Sequence, residues 1–232
     1  MVTIQPVSET HLMIYVGEVI DLALTPVIRD LVAFLHGFPE PGIIEVIPSY
    51  TSVLVQYHPN QLTYAQLALA IEAYSLTYQK GNASTQANGN RITLPVYYGR
   101  DVGPDLQAVA EHAGLSVEEV IAIHSGQTYT VCAIGFAPGF AFLASVDARI
   151  AMPRQVTPRQ QVPAGSVGIA NQQTAVYPNA SPGGWQIIGN CPVELFSPDA
   201  TPMTPFSVGD TVQFTPINRE QFLQQGGELW PR

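Results

Sequence analysis

Positive charge is scarce in this sequence. Lys and Arg together number 9 among 232 residues, against 18 Asp and Glu, which gives a formal net charge of −9. Lys80 is the single lysine. Electrostatic binding to nucleic acid or to an anionic lipid surface needs clustered cations. We therefore expect no nucleic-acid partner and no membrane partner.

Cysteine and long apolar runs are also rare. Cys132 and Cys191 are the 2 cysteines, which make no disulfide framework in a chain of this length, and no Cys-x-x-Cys pair occurs. No apolar run approaches the roughly 20 residues of a membrane-spanning helix. The N-terminus carries no basic region followed by a long apolar stretch. These absences predict a cytoplasmic location with both thiols reduced.

Several catalytic signatures are missing. The sequence has no Gly-rich phosphate loop ending in Lys-Ser/Thr, no His/Cys spacing typical of zinc and no Gly-x-Ser-x-Gly turn. Within residues 128–217 the acids are Asp147, Glu194, Asp199 and Asp210. They are scattered, whereas a self-sufficient ATP-dependent hydrolase needs a carboxylate constellation for its metal. We expect no metal site, and half of an active site that another chain completes.

Residues 10–79 show the pattern β-α-β-β-α. The alternation of residues 11–16 predicts a strand, and two more strands, at residues 43–47 and 53–57, are joined by a hairpin. Thr25-Pro26 predicts a helix start, and Thr63 with Gln66 has capping-box spacing for a second helix. This order predicts a small ferredoxin-like unit whose final strand comes from elsewhere within the chain.

A change of character follows this unit. Residues 80–90 are polar, small and rich in Gly and Asn, which is typical of a linker. A strand is then expected at residues 91–98, a helix at 104–113, and a helix whose capping box is Ser116 and Glu119. Residues 128–217 alternate short apolar runs with Gly/Pro turns, as in a closed β-barrel or a sandwich. We expect an α+β protein with two domains, 1–90 and 91–232.

Three turns that contain Gly and Pro carry the most information. They are Gly135-Phe136-Ala137-Pro138-Gly139-Phe140, residues 162–169 and residues 181–189. Glycine permits backbone angles and close approaches that a Cβ forbids, and proline fixes φ. Three such turns in one β-rich stretch indicate backbone shaped around a cavity or a partner. The exposed aromatics expected in the first turn indicate a recognition edge or a barrel plug, and the two are compatible.

Three residues of this region are titratable or cationic candidates for chemistry. His124 continues the apolar face of the helix that Ser116 begins, and is either a structural hydrogen-bonding residue or a general acid/base. Arg154 and Arg159 lie on a proline-stiffened loop. They can bind a carboxylate or a phosphate bidentately, or they lie in solvent or form a salt bridge to a partner protein.

Uncharged polar groups stand beside aromatics further along the chain. Gln173, Tyr177, Trp185 and Gln186 suit a small polar ligand such as a lactam, because neutral donors and acceptors would line an apolar wall. Trp185 has the alternative of ordinary core or interface packing.

The sequence also resembles one known family over residues 8–217. The resemblance is carried by Leu94-Pro95-Val96-Tyr97-Tyr98-Gly99, Gly103-Pro104-Asp105-Leu106, His124-Ser125, the Gly135 turn, Thr157-Pro158-Arg159, Gln173-Thr174, Tyr177-Pro178 and residues 181–189. The chain is similar to B subunits of bacterial ATP-dependent 5-oxoprolinases. These are related to the allophanate hydrolase subunit 1 domain of urea carboxylases and to the sporulation kinase inhibitor KipI. The resemblance implies a ferredoxin-like N-terminal domain followed by a cyclophilin-like β-barrel.

In function, the resemblance implies a protein that is inactive alone and opens 5-oxoproline to glutamate together with partner A and C subunits. ATP, with Mg, would serve the assembled complex, at a site that can lie on a partner chain. The implied catalytic residues are His124 and Arg159. The residues implied to bind the lactam are Arg154, Gln173, Tyr177, Trp185 and Gln186. The turn implied to meet a partner or to line a pocket contains Phe136, Pro138, Gly139 and Phe140. Two alternatives stay open: a non-catalytic inhibitor of a sensor histidine kinase, and a substrate-positioning module of the urea carboxylase or allophanate type.

Overall fold

The computed structural model describes residues 2–79 and 89–230. The chain divides into two units, Met1–Asn88 and Gly89–Arg232. Most of the linker predicted at residues 80–90 lies outside the described residues, so the domain limits 1–90 and 91–232 stay a prediction. None of the helices in the described part is long and apolar enough to cross a bilayer.

The first unit is a four-stranded antiparallel sheet with two helices. Its elements are β1 (Thr3–Ser8), β2 (His11–Tyr15), α1 (Leu24–His36), β3 (Ile43–Pro48), β4 (Ser52–Tyr57) and α2 (Tyr64–Gln79). The strand order is β1-β2-β4-β3. The predicted β-α-β-β-α pattern is present as β2 to α2, and β1 adds the fourth strand beside β2. The ferredoxin-like description of this unit stays a prediction.

Side-chain alternation explains the strands and helices of this unit. Leu12 and Ile14 of β2 are fully buried, as are Val53 and Val55 of β4, because successive strand residues point to opposite faces. Strand β1 gives no such signal, because it is an edge strand that is exposed at every residue except the half-buried Ile4.

The predicted start of α1 at Thr25 is wrong. The helix begins at Leu24, and Thr25 lies inside it with 6% of its surface exposed. The N-cap position is occupied by Ala23, and no side chain caps the helix there. The hydroxyl of Thr25 therefore does not cap α1.

The second unit contains the remaining elements. They are β5 (Arg91–Tyr97), α3 (Leu106–Ala113), α4 (Val117–Gly126), β6 (Thr128–Ile134), β7 (Ala141–Ala144), β8 (Arg159–Val162), β9 (Ser166–Ala170), β10 (Gln173–Val176), β11 (Ser181–Gly183), β12 (Gln186–Asn190), β13 (Thr211–Ile217) and α5 (Arg219–Gln224). The capping box predicted for α4 is present: the Ser116 side chain accepts from the N–H of Glu119, and the Glu119 carboxylate accepts from the N–H of Ser116.

Seven of these strands close into a barrel, which confirms the predicted barrel over the sandwich. The order around the barrel is β10-β7-β6-β13-β5-β12-β9. Strands β5 and β13 run parallel, and the other neighbouring pairs are antiparallel. The short strands β8 and β11 pair separately. The structure is thus of mixed α+β class, with a closed β-barrel after the N-terminal sheet.

The larger apolar cluster of the second unit combines residues of the barrel strands and of the helices. Leu94, Val131, Ile169 and Ile188 from four different strands are buried in it, and Leu106 and Val109 of α3 join them. Helix α3 packs against β12, and α4 packs against β13. The loops that leave this core carry the residues described next.

Candidate functional site

The turn Gly135–Phe140 connects β6 to β7 and is closed by backbone hydrogen bonds. The N–H of Gly135 donates to the carbonyl of Phe140 at 3.0 Å, and the N–H of Phe140 donates to the carbonyl of Ala137 at 3.0 Å. Gly139 has φ +79°, and a Cβ placed there would lie 2.7 Å from the carbonyl oxygen of Leu195. Both the angle and the close approach require glycine.

This turn brings Phe140 into the centre of an aromatic cluster, defined here as Phe136, Phe140, Phe142, Tyr177 and Trp185. The ring centre of Phe140 lies 4.8 Å from that of Phe142, 5.3 Å from Tyr177 and 5.7 Å from Trp185. Edge-to-face arrangements at these distances are favourable. Phe140, Tyr177 and Trp185 are at most 5% exposed. These three rings share an apolar cluster with Val162, Ala170, Ala175 and Ile187, and the barrel-plug interpretation of the turn stays a prediction.

Phe136 is the exposed member of the aromatic cluster. Its ring centre lies 5.2 Å from that of Phe140, yet 67% of its surface is exposed. Its φ of +72° is uncommon for a bulky residue. The neighbouring Pro138 is exposed as well. These features describe a surface-presented edge of the turn.

Arg154 lies over the face of Trp185. Its Cζ atom is 5.9 Å from the centre of the indole ring, within the range of a cation–π contact. The side chain is exposed, and no carboxylate in residues 2–79 and 89–230 forms an ion pair with it. Burial raises the pKa of the nearby Tyr177 hydroxyl, although a backbone hydrogen bond with Trp185 and the charge of Arg154 act in the opposite direction. The hydroxyl thus keeps its proton and can donate it in a hydrogen bond.

Arg159 is engaged in an ion pair. Its Nη2 donates to Oδ1 of Asp105 at 2.7 Å, and its Nη1 lies 3.5 Å from the carbonyl oxygen of Trp185. Its Cζ is 5.8 Å from the ring centre of Trp230. The side chain is 23% exposed, against 11% for that of Asp105. This guanidinium is therefore held between a carboxylate and an indole ring.

The two glutamines of the predicted site lie in different places. Nε2 of Gln186 donates to the carbonyl of Pro153 at 2.8 Å, and Gln186 is 5% exposed. Gln173 is a half-buried residue of β10, paired with Ala144 of β7 and Ala170 of β9. The structure thus places Gln186 next to the Arg154 loop and Gln173 in the barrel wall.

His124 is enclosed in the barrel core. It is fully buried, and its ring stacks on Phe214 at 4.7 Å. Thr174 Oγ1 donates to the carbonyl of Gly168, so it accepts from Nε2–H of His124 at 3.0 Å. Nδ1 then accepts from the Tyr98 hydroxyl at 2.8 Å. Burial lowers the pKa of His124 to about 3, so the ring is neutral at physiological pH. This geometry is that of a structural hydrogen-bonding residue.

Sequence reasoning missed two members of the site. They are Asp105 and Gln155. Gln155 lies in the same loop as Arg154, and its Nε2 donates to Asp105 Oδ1 at 3.0 Å. Asp105 Oδ2 accepts from the N–H of Ile187 in β12 at 2.7 Å. Asp105 reads in sequence as a helix N-cap. Gln155 lies next to Arg154, and that adjacency was the available signal.

A cleft of about 700 Å³ opens beside this region in the second unit. Gly165, Asn190, Cys191 and the segment Gly226–Trp230 contribute to its wall. Burial raises the pKa of the Cys191 thiol to about 11, so this thiol stays protonated. Trp230 lines the cleft and also contacts Arg159, which joins the cleft to the ion pair.

The described residues form no ready-made metal site. In the part of the chain that the structure describes, no group of three or more His, Cys, Asp or Glu side chains is arranged to hold a metal ion. Magnesium needs carboxylate or phosphate oxygens that are free to coordinate. Asp105, the carboxylate of this site, is already bonded to Arg159, Gln155 and Ile187.

Comparisons with known proteins show which proteins this chain is similar to. A 5-oxoprolinase B subunit from Bacillus subtilis (strain 168) is 40% identical over 227 residues, which cover 94% of each chain. The crystal structure of TTHA0988 matches with a TM-score of 0.78 and 31% identity, over 95% of this chain. This chain spans 41% of the length of that protein. The Kluyveromyces lactis urea carboxylase matches with a TM-score of 0.73 over 96% of this chain and 22% of its own, at 18% identity, and so shares the fold.

The sequence profile of one family covers most of the chain. It is described as carboxyltransferase domain, subdomain C and D, and it matches residues 2–206. Together with the 40% identical relative, this match establishes the relationship that the turns and the His124, Arg159 and Trp185 stretches predict. The chain belongs to the carboxyltransferase subdomain C and D family.

Proposed function

We propose that this chain is the B subunit of an ATP-dependent 5-oxoprolinase, which opens 5-oxoproline to glutamate together with A and C subunits. The observation that carries the proposal is the 40% identity, over 94% of both chains, to the Bacillus subtilis protein that is named as the B subunit of a 5-oxoprolinase. ATP with Mg would serve the assembled complex, at a site that can lie on a partner chain, and this chain would be inactive alone.

Arg154 is the substrate-binding residue in this proposal. 5-Oxoproline carries a carboxylate on a small, partly apolar ring. An exposed guanidinium that forms no ion pair with a carboxylate of the described residues suits the carboxylate of this substrate. Tyr177 is 1% exposed and would support the Trp185 ring from within the aromatic cluster, with ring centres 6.5 Å apart. Phe136 and Pro138 would form the exposed edge that meets a partner chain or the substrate.

Arg159 and His124 act indirectly in this proposal. Arg159 is bonded to Asp105, and its charge is therefore balanced before any substrate arrives. His124 is neutral and has both ring nitrogens bonded, so it would hold Tyr98 and Thr174 in place. We propose a positioning role for both residues in place of the direct catalysis that the resemblance implies.

The test is a reconstituted assay. The chain is co-expressed with its A and C homologues, and glutamate release from 5-oxoproline is measured with and without ATP. Release that needs ATP and all chains supports the proposal. A stable complex that binds ATP and releases no glutamate contradicts it and directs attention to another amide.

The same assay tests Arg154. Arg154→Ala should raise KM for 5-oxoproline by about 10- to 100-fold, since a charge-assisted hydrogen bond contributes about 1.5–3 kcal/mol. Arg149→Ala is the matched control, because Arg149 is exposed and pairs with Asp147 two residues away. An unchanged KM in Arg154→Ala would remove Arg154 from the substrate site.

The two alternatives are separated by binding. An inhibitor of a sensor histidine kinase would bind a kinase stoichiometrically without any C homologue. A urea- or allophanate-type module would form the complex yet release no glutamate from 5-oxoproline. Both stay predictions.

A further inference from the structure

We propose that Asp105 is a positioning residue that anchors the loop of residues 153–159 and thereby holds Arg154 over Trp185. The substrate role of Arg154 rests on the proposed function, whereas the anchoring of the loop rests on contacts alone. Asp105 does not touch Arg154. It acts on the residues beside it in the loop.

The carboxylate of Asp105 is fully used by groups outside its own helix. Oδ1 accepts from Nη2 of Arg159 at 2.7 Å and from Nε2 of Gln155 at 3.0 Å. Oδ2 accepts from the N–H of Ile187 in β12 at 2.7 Å. Asp105 is 8% exposed, so these bonds form largely out of water, where an unpaired charge is costly. One buried side chain thus joins the loop to the barrel.

The position of Asp105 in the fold is unusual for an aspartate at a helix start. It occupies the N-cap position of α3, where an aspartate normally accepts a hydrogen bond from the first turn of the helix. Its side chain makes no such bond. The backbone N–H of Asp105 donates to the carbonyl of Ile187 at 2.9 Å. The main chain and the side chain of Asp105 are therefore both hydrogen-bonded to the same residue of β12. The carboxylate is thereby turned away from the helix and toward the loop.

The other hydrogen bonds that residues 153–158 make within the described chain are uncharged, and the two ends of the loop are fixed by backbone pairing of Met152 with Asn171 and of Arg159, the first residue of β8, with Gly183. Pro153, Val156, Thr157 and Pro158 are exposed, and Val156 has 102% of its reference surface accessible. The backbone N–H of Gln155 donates to the carbonyl of Gly184 at 2.6 Å, and the carbonyl of Pro153 accepts from Gln186. Among the described residues, Asp105 makes the charged contact to this loop. Loss of that contact should release the loop on both sides of Arg154.

Charge supports the same assignment. Asp105 balances Arg159, which leaves Arg154 as the loop cation that has no carboxylate partner in the described ranges. Without Asp105, Arg159 would lie 23% exposed beside Trp230 with no carboxylate. An anion would then have two guanidinium groups to choose from, and Arg154 would lose its place over Trp185.

The experiment compares trypsin cleavage in Asp105→Asn and in the unaltered protein, with the cut sites mapped by mass. Trypsin cuts after arginine, so Arg154 and Arg159 report the loop and Arg149 reports a nearby exposed site. We expect cleavage after Arg154 and Arg159 to rise about tenfold or more, because lost charge-assisted bonds favour local opening. Cleavage after Arg149 should stay within about twofold of the unaltered protein, since its contacts are unchanged.

Asp147→Asn is the matched control. It removes the same charge from an ion pair with Arg149, whose side chain is 65% exposed. Cleavage after Arg154 should not change in this variant. Two results for folded Asp105→Asn would overturn the anchoring. Unchanged cleavage after Arg154 would show that the loop is not released. An equal rise in cleavage after Arg149 would show general unfolding.

A second variant covers a failure of Asp105→Asn to fold. Gln155→Ala removes one bond to Asp105 and leaves the Asp105–Arg159 pair intact. Cleavage after Arg154 should then rise more than cleavage after Arg159. Equal or absent increases contradict the anchoring.

Kinetics separate this inference from the proposed function. In the reconstituted enzyme, Asp105→Asn should raise KM for 5-oxoproline more than it lowers kcat, because the carboxylate site is displaced. A released loop with an unchanged KM overturns the presentation of Arg154 to the substrate. A complex that shows no 5-oxoproline turnover in the unaltered protein sinks the proposed function, while the cleavage pattern still decides the anchoring.

Discussion

At the scale of single residues, partners decide what two similar side chains do. Arg154 and Arg159 are five residues apart and look equivalent in the sequence, but Arg154 lies in a loop and Arg159 begins β8. Arg159 forms an ion pair with Asp105, and Arg154 lies over the ring of Trp185. An arginine bonded to a carboxylate has its charge balanced, whereas one stacked on an indole ring keeps its donors for a ligand. In the proposed enzyme, Arg154 therefore binds the substrate and Arg159 has a positioning role.

His124 leads to a prediction about pH at this scale. Burial lowers its pKa from 6.5 to about 3 in the folded protein. The unfolded chain therefore binds a proton between these values that the folded chain does not. The contribution of His124 to the free energy of unfolding is fully present above pH 6.5. It should fall as the pH is lowered toward 3, by up to about 1.4 kcal/mol per pH unit. The neighbours Tyr98, Thr174 and Phe214 are uncharged in this range.

Urea unfolding between pH 7 and pH 4 measures this effect. Tryptophan fluorescence reports the second unit, because Trp185 and Trp230 are the 2 tryptophans and both lie in it. His124→Gln should flatten the dependence on pH. His112→Gln, at an exposed position of α3, is the control and should follow the unaltered protein. Equal slopes for all three proteins would show that His124 takes up its proton without unfolding.

At the scale of elements, capping and turn chemistry are local and therefore legible in the sequence. The predicted capping box of Ser116 and Glu119 is present, and Thr63 and Gln66 bond reciprocally before α2. The cap predicted at Thr25 is not formed, and Thr25 is instead a buried residue of α1. Local rules therefore hold where a residue is exposed and yield where its side chain is buried.

The turn Gly135–Phe140 carries a prediction at this scale. Gly139→Ala places a Cβ at φ +79° and 2.7 Å from the carbonyl oxygen of Leu195. It should lower the free energy of unfolding of the second unit by about 1–3 kcal/mol or more, because backbone strain and a clash add. The measurement is urea unfolding followed by tryptophan fluorescence, since Trp185 lies 5.7 Å from Phe140.

Gly126→Ala is the control for this substitution. Nothing lies within 4 Å of a Cβ at that position, which is the last residue of α4. Its effect should stay within about 1 kcal/mol, since alanine has the higher helix propensity. Equal effects of the two substitutions would show that the turn at Gly139 adjusts to a side chain.

At the scale of the whole molecule, each unit contains its own sheet. The N-terminal sheet uses strands up to Tyr57, and the barrel closes with strands from Arg91 to Ile217. A unit with its own hydrogen-bonded sheet and core is able to fold alone.

A fragment of residues 89–232 tests this independence. We expect it to give a β-rich circular dichroism spectrum and one cooperative thermal transition, because the barrel and its apolar core lie within it. The full chain provides the reference transition for the tryptophan signal. A fragment without a cooperative transition would show that the barrel needs the first unit to fold.

The sequence by itself determined the local features and the relationship. Periodicity predicted β2 to α2 and the barrel strands, Gly and Pro predicted the turns, and the motifs predicted the family. These features depend on residues close together in the chain, or on the ordered wording of long motifs. That is why a single sequence was enough for them.

Only the tertiary structure decided how the site is joined. Asp105 and Arg159 are 54 residues apart in sequence, and His124 and Thr174 are 50 apart. No local pattern encodes such pairs, because the partner is chosen by barrel closure. The same holds for β1, whose exposed residues give no periodic signal until β2 pairs with it. Charge balance at Arg159 and neutrality at His124 follow from burial beside distant residues, and burial is a property of the folded chain.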